Sequence, residues 1–209
     1  KEESCERVAD ALKSWKMYPT LAAEISEGCS IGSFSKLEND LYKRLYADLL
    51  QVGKKGVKGG DQFLKFVQLE IDVKNIKTLF RMRNDGYEED AREFFISGAT
   101  FTPDELQQMN QMASRNEVID SLLAKIKGKS IQVALEELRA EKSDQEVDAE
   151  LTRTQLERME QLSKINPFSI HPILVFLEKK KHEVFNLRAI ARGKESRLSS
   201  ETIEKYLVI

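Results

Sequence analysis

The sequence is poor in residues that break helices. Its 209 residues include four prolines and ten glycines. This excludes collagen-like, mucin-like and Gly/Ser-linker chains and favours long helices. Cysteine is scarcer still. Cys5 and Cys29 allow one disulfide but no disulfide framework, and the count suits a reducing, cytoplasmic setting better than an oxidising one. An excess of one charge is also missing: 33 Lys and Arg stand against 35 Asp and Glu, a net charge of −2. An overall electrostatic grip on nucleic acid is therefore not expected. The longest purely apolar run is Ile173 to Leu177, far short of the roughly 20 residues that cross a bilayer. No signal peptide opens the chain. It begins KEESCERVADAL, without Met and already in helical rhythm, as expected of an N-terminally truncated protein.

What the chain does have is charge, at 33% of residues, and 41% apolar residues in helical periodicity. Val8, Leu12 and Trp15 share one face of a first helix. Pro19 interrupts, a short segment with Leu21, Ala22 and Ile25 follows, and 27–35 reads as a loop. Leu37, Leu41, Leu45, Leu49 and Val52 recur every three or four residues. The basic turn GKKGVKGG (53–60) precedes a long helix from Gln62 to about Asn84, with Asp61 as its N-cap. Asp85-Gly86 ends it, and a short helix holds Phe94, Phe95 and Ile96. Thr102, Pro103 and Glu105 form a capping box. Further helices run to Gly128, from Ile131 to about Ala140, from about Gln145 to Leu162, and from Ile173 to about Arg192, ending at Gly193. Ser199 or Ser200 caps a last short helix. Period-two alternation is absent, so the expected fold is all-α.

The most informative feature is an internal repeat. DVKNIKTLFR (72–81) and EVFNLRAIAR (183–192) share Val, Asn and Arg, with four further like-for-like positions. Asn75 and Asn186 lie 111 residues apart. On nearly the same register, LENDL at 37 parallels VDAEL at 147, RVADAL at 7 parallels EVIDSL at 117, and Phe95 and Ile96 fall on Tyr206 and Leu207. A unit of this length exceeds the roughly 33–47 residues of common helical solenoid repeats. The expected organisation is two similar helical-bundle units, residues 1–115 and 116–209.

The repeated motif is Asp72, Asn75, Lys77 and Arg81 in one copy, and Glu183, Asn186, Arg188 and Arg192 in the other. Val184, Leu187 and Ala191 share a stripe, and Asn186 stands on the neighbouring one, at the margin of the buried face. An amide there can donate to and accept from a facing backbone. Arg81 and Arg192 fall near helix C-termini, where a cation complements the macrodipole. A structural role is preferred to ligand binding, because neither copy sits beside a Gly-rich loop.

The sequence carries no recognisable catalytic or cofactor motif. IKGKS (126–130) lacks the earlier glycine and the preceding strand of a phosphate-binding loop. Cys5, Cys29, His171 and His182 show no short-spaced ligand pair. His171 before Pro172 reads as a turn residue, and His182 within KKKHE as a solvated one. No catalytic, cofactor-binding or metal residue is assigned.

One resemblance is specific. NPFSIHPILVFLEKKKHEVFNLRAIARGKESRLSSETIEKYLV (166–208) resembles the C-terminal signature of the C subunit of archaeal A-type ATP synthases and bacterial V-type ATPases, whose eukaryotic counterpart is the d subunit. GGDQFLKFVQLEIDVKNIKTLFRMR (59–83) resembles the signature of the middle repeat. The resemblance implies a three-unit, pseudo-threefold helical funnel that lacks its first unit here. Residues 1–115 then hold the middle repeat with the end of the preceding one, and 116–209 the C-terminal repeat. It implies a non-catalytic rotor adaptor without cofactor, cytoplasmic and peripheral to the membrane. Such a protein links the central-stalk subunits to the membrane rotor ring and transmits torque. It would touch the membrane only through the complex, bind no nucleic acid, and as a truncated fragment could self-associate. The alternative is a soluble helical enzyme or nucleotide-binding regulator.

Overall fold

The computed structural model describes residues 5–14, 18–56, 58–140, 142–204 and 207–208. The side chains of 5, 6, 8, 9 and 18–20 also lie outside the described set, as do Trp15 and Tyr206. The first-helix face drawn from Val8 and Trp15 and the pairing of Phe95 with Tyr206 therefore fall outside it. Among the described residues there are ten α-helices and no strand, so the fold is all-α as expected.

The chain forms two compact units, 1–48 and 49–209. In the first, α1 (Cys5–Leu12) packs on α2 (Tyr18–Ile31), which buries Leu21 and Ile25. The expected loop at 27–35 is helical as far as Ile31. Gly28 makes this possible: a Cβ there would stand 2.5 Å from Phe34 Cδ1, so the next turn folds back against a bare backbone. Cys29 is disulfide-bonded, rather than the free thiol that a reducing setting suggests. The boundary between the units falls within α3 (Ser35–Lys54).

The second unit is built around α4 (Gly60–Asn84). This helix packs against α5 (Pro103–Asn110), α8 (Asp144–Ile165) and α9 (His171–Glu195). α6 (Arg115–Lys125) and α7 (Lys129–Glu137) lead from α5 to α8, and α10 (Ser200–Glu204) closes on α9. The core draws Phe80, Phe95 and Phe101 from one stretch of chain and Leu122, Leu135 and Leu151 from another. Each such side chain contributes about 1.5–3 kcal/mol on burial.

Local chemistry explains most helix ends. Thr102 and Glu105 form the expected capping box, with Pro103 in the first turn. A second box, Ser143 with Glu146, starts α8 slightly earlier than its apolar rhythm suggests. The N-cap of α4 is Gly59 at φ 87°, not Asp61, which sits in the first turn where its charge complements the helix dipole. Phe94, Phe95 and Ile96 do not form a helix. Only a 3₁₀ turn, Arg92–Phe94, is present, and Phe95 is extended. Gly193 does not end α9. It is buried in the last turns, and a Cβ there would lie 2.6 Å from Ile203 Cγ1, so its bareness lets α10 approach.

Lys77 shows how α4 and α8 are joined. It is half-buried, its Nζ donates to Thr152 Oγ1, and Asp148 lies 4.0 Å away. Burial pulls its pKa below the usual lysine value, outweighing the attraction of Asp148, while Arg81 and Lys181 push the same way as burial. The unfolded chain therefore binds more protons than the folded one between the lowered folded pKa and the ordinary lysine value. Across that alkaline window this site makes stability rise with pH. Denaturant melts of Lys77→Met and the parent should show the stability difference shifting in favour of the parent as pH climbs through it. A difference independent of pH would show that Lys77 is freely solvated.

Candidate functional site

The two repeated asparagines make the same pair of bonds. Asn75 Nδ2 donates to Ile96 O at 2.8 Å, and Ile96 N donates to Asn75 Oδ1 at 2.9 Å. Asn186 Nδ2 donates to Val208 O at 2.8 Å, and Val208 N donates to Asn186 Oδ1 at 3.0 Å. Each amide clamps one residue of a returning segment rather than a helix end. The clamped residues differ by one from the sequence pairing: Ile96 corresponds to Val208, not Leu207. Capture of Ile96 also accounts for the absent helix there, since its backbone groups are committed to Asn75.

Around the first clamp the segment is held further. Asp72 Oδ1 accepts from Thr100 N at 3.0 Å and Asp72 Oδ2 from Thr100 Oγ1 at 2.6 Å. Gln68 Nε2 donates to Gly98 O at 3.3 Å. Gly98, at φ 104°, has no room for a Cβ, which would stand 2.3 Å from Leu50 Cδ1. Burial pushes the Asp72 carboxyl above the usual range, against the opposing pull of the Thr100 hydroxyl and the Thr100 and Phe101 N–H groups.

The remaining motif residues diverge between copies. Glu183 is exposed and pairs with Lys180 at 2.6 Å, where Asp72 is buried. Arg188 and Arg192 are exposed, whereas their counterparts Lys77 and Arg81 both face Asp148, Arg81 at 3.3 Å. Arg81 and Arg192 both lie in last turns. The stripe of Val184 and Leu187 is not buried: it is 47% and 60% exposed, and Ile173, Phe176 and Leu177 extend this apolar surface along α9.

The histidines differ from their sequence reading. His182 is not solvated. It sits 3.8 Å from the buried Glu178, and burial lowers its pKa, with Lys181 adding to the shift. His171 is buried at the start of α9, its Nδ1 3.0 Å from Ser169 Oγ. Burial lowers its pKa as well, helped by Lys65. Among the described residues no group of His, Cys, Asp and Glu could hold a metal ion, and no helix is long and apolar enough to cross a membrane.

Magnitudes separate the clamps from the ion pairs. Exposed pairs such as Lys180–Glu183 contribute roughly 0–1 kcal/mol. A buried amide that satisfies two backbone groups leaves both orphaned when removed, at about 1–3 kcal/mol. Asn75→Ala should therefore destabilise by roughly that amount in denaturant melts. Asn186→Ala should cost less, since its site is only part-buried. Losses below about 0.5 kcal/mol for both, as at ordinary surface positions, would show that water replaces the amides.

The chain is 33% identical over 216 residues to an A-type ATP synthase C subunit from Methanococcoides burtonii, covering 100% of this chain and 57% of that protein. It is 32% identical over 211 residues to the protein of that name from Haloferax volcanii, covering 98% and 58%. For Methanosarcina acetivorans the identity is 32% over 213 residues, covering 98% and 55%. The chain thus spans a little over half the length of these relatives. No solved structure matches it significantly. The family described as ATP synthase (C/AC39) subunit matches residues 1–206, and the chain belongs to that family.

Proposed function

We propose that this chain acts as a non-catalytic central-rotor adaptor of a rotary A/V-type ATPase. It links the central stalk to the membrane rotor ring and passes torque between them during ion-coupled ATP synthesis or hydrolysis. The observation that carries the reading is the family match across nearly the whole chain, together with relatives named as C subunits of A-type ATP synthases. An all-helical body fits such a role, because helices joined by buried side chains resist deformation. The protein works on the cytoplasmic side, peripheral to the membrane, and meets lipid only through the complex.

Residues 1–115 and 116–209 are proposed as the repeat boundaries in sequence, with the eight motif residues as their shared structural elements. The paired asparagine clamps support this. The exposed apolar surface of α9, with Ile173, Phe176, Leu177 and Leu187, supports contact with a protein surface.

The test is co-purification with stalk and ring subunits of the same ATPase. Retention of both, and no ATP hydrolysis by the chain alone, is the expected result. ATP turnover that survives purification and disappears on mutation of this chain would overturn the adaptor reading in favour of an enzyme. Self-association of the isolated chain through the α9 surface should appear in light scattering and weaken in a Leu177→Glu, Leu187→Glu variant. A strict monomer at all concentrations would show that this surface does not self-pair.

A further inference from the structure

We propose that α3 of one copy of this chain packs antiparallel against the C-terminal half of α9 of a second copy, in the register by which α8 packs on α4 within the chain. The internal contact is a ladder of side chains. Asn84 Nδ2 donates to Asp144 Oδ1 at 2.6 Å, Arg81 Nη2 to Asp148 Oδ2 at 3.3 Å, and Lys77 Nζ to Thr152 Oγ1. Each rung steps back one turn along α4 and forward one turn along α8, so the two helices run antiparallel. The α8 stripe continues through Gln155 and Met159, both buried.

Each side of that ladder has a counterpart in the other repeat, and both counterparts are open. On the register that aligns LENDL at 37 with VDAEL at 147, Asp148 corresponds to Glu38, Thr152 to Tyr42, Gln155 to Leu45 and Leu162 to Val52. Glu38, Tyr42, Leu45 and Val52 are all exposed on α3. Leu45 is 49% exposed where Gln155 is 6%. On the register that equates Asn75 with Asn186, Lys77 corresponds to Arg188, Arg81 to Arg192, Val73 to Val184 and Phe66 to Leu177. Val73 and Phe66 are buried, whereas Val184 and Leu177 are exposed, as are Arg188 and Arg192.

Carried over to two copies, the ladder sets Arg192 against Glu38, Arg188 against Tyr42, Val184 and Phe185 against Leu45, and Leu177 against Val52. Every rung is complementary. Arg192 meets a carboxylate, as Arg81 meets Asp148. Arg188 meets an aromatic ring, whose face attracts a guanidinium. The remaining rungs join apolar side chains that each copy leaves exposed, and covering them removes apolar surface from water. The interface is heterologous, since one copy offers α9 and the other α3. This pairing rests on the self-association through α9 proposed above and does not depend on the adaptor role.

The test is sedimentation equilibrium of the full chain and of charge-swapped variants. Glu38→Arg and Arg192→Glu should each weaken self-association at least about three-fold, because an exposed attraction becomes a repulsion. Leu45→Glu, which sets a charge inside the apolar rungs, should weaken it at least about ten-fold. Glu38→Arg and Arg192→Glu in one chain should restore the strength of the parent. All three positions are exposed, so the variants should fold, as an unchanged helical circular dichroism spectrum would show. Association of Glu38→Arg or Leu45→Glu at the strength of the parent, or a double variant no stronger than the single ones, would overturn this pairing and leave self-association through α9 standing. A parent that is monomeric at every concentration would overturn both.

Discussion

The amide of Asn75 is the interaction on which the second unit depends. It is 1% exposed and satisfies both backbone groups of Ile96. Without it, an extended stretch of chain would cross a helical core with orphaned polar groups, at a cost of about 1–3 kcal/mol. With it, Phe95 and Phe101 are placed on opposite ends of the crossing and both enter the core. Asp72 and Gln68 extend the same device over the next four residues. The chain between α4 and α5 is thus an irregular segment held almost as firmly as a helix.

The second clamp shows what happens when the same device is less buried. Asn186 keeps its two bonds, but the flanking acid moves to the surface and pairs with lysine. Around it, α9 presents apolar side chains outward over much of its length. A 25-residue helix with large hydrophobic residues on both sides makes sense as a surface meant to be covered. Lys179 pairs with Glu160 and Lys181 with Glu178, while Arg188 and Arg192 further along the helix are exposed.

Much of the architecture is legible in the sequence because it depends on local patterns. Helical periodicity, the scarcity of Pro and Gly, and the Thr102–Glu105 box each act within a few residues, and the structure follows them. The Ser143–Glu146 box carries the same signal and is obscured by the polar run around it. Three of the misreadings share an origin. Gly28, Gly193 and the residues Phe94–Ile96 read as punctuation or helix from local preference, and packing against neighbouring segments overrides it. Gly28 and Gly193 stay helical because Phe34 and Ile203 need the space. Ile96 leaves the helix because Asn75, 21 residues away in sequence, binds its backbone.

Composition, period and repetition suffice for the all-helical class and the pair of asparagines 111 residues apart, and the stretches 59–83 and 166–208 carry the family resemblance. None of these requires knowledge of a contact, so each can be read along the chain. Two outcomes come from packing alone: which residue each amide clamps, and that His182 is shielded while Val184 and Leu187 face outward. They depend on which helix lies against which. That choice is made by burying apolar area between elements far apart in the chain, and no local pattern records it.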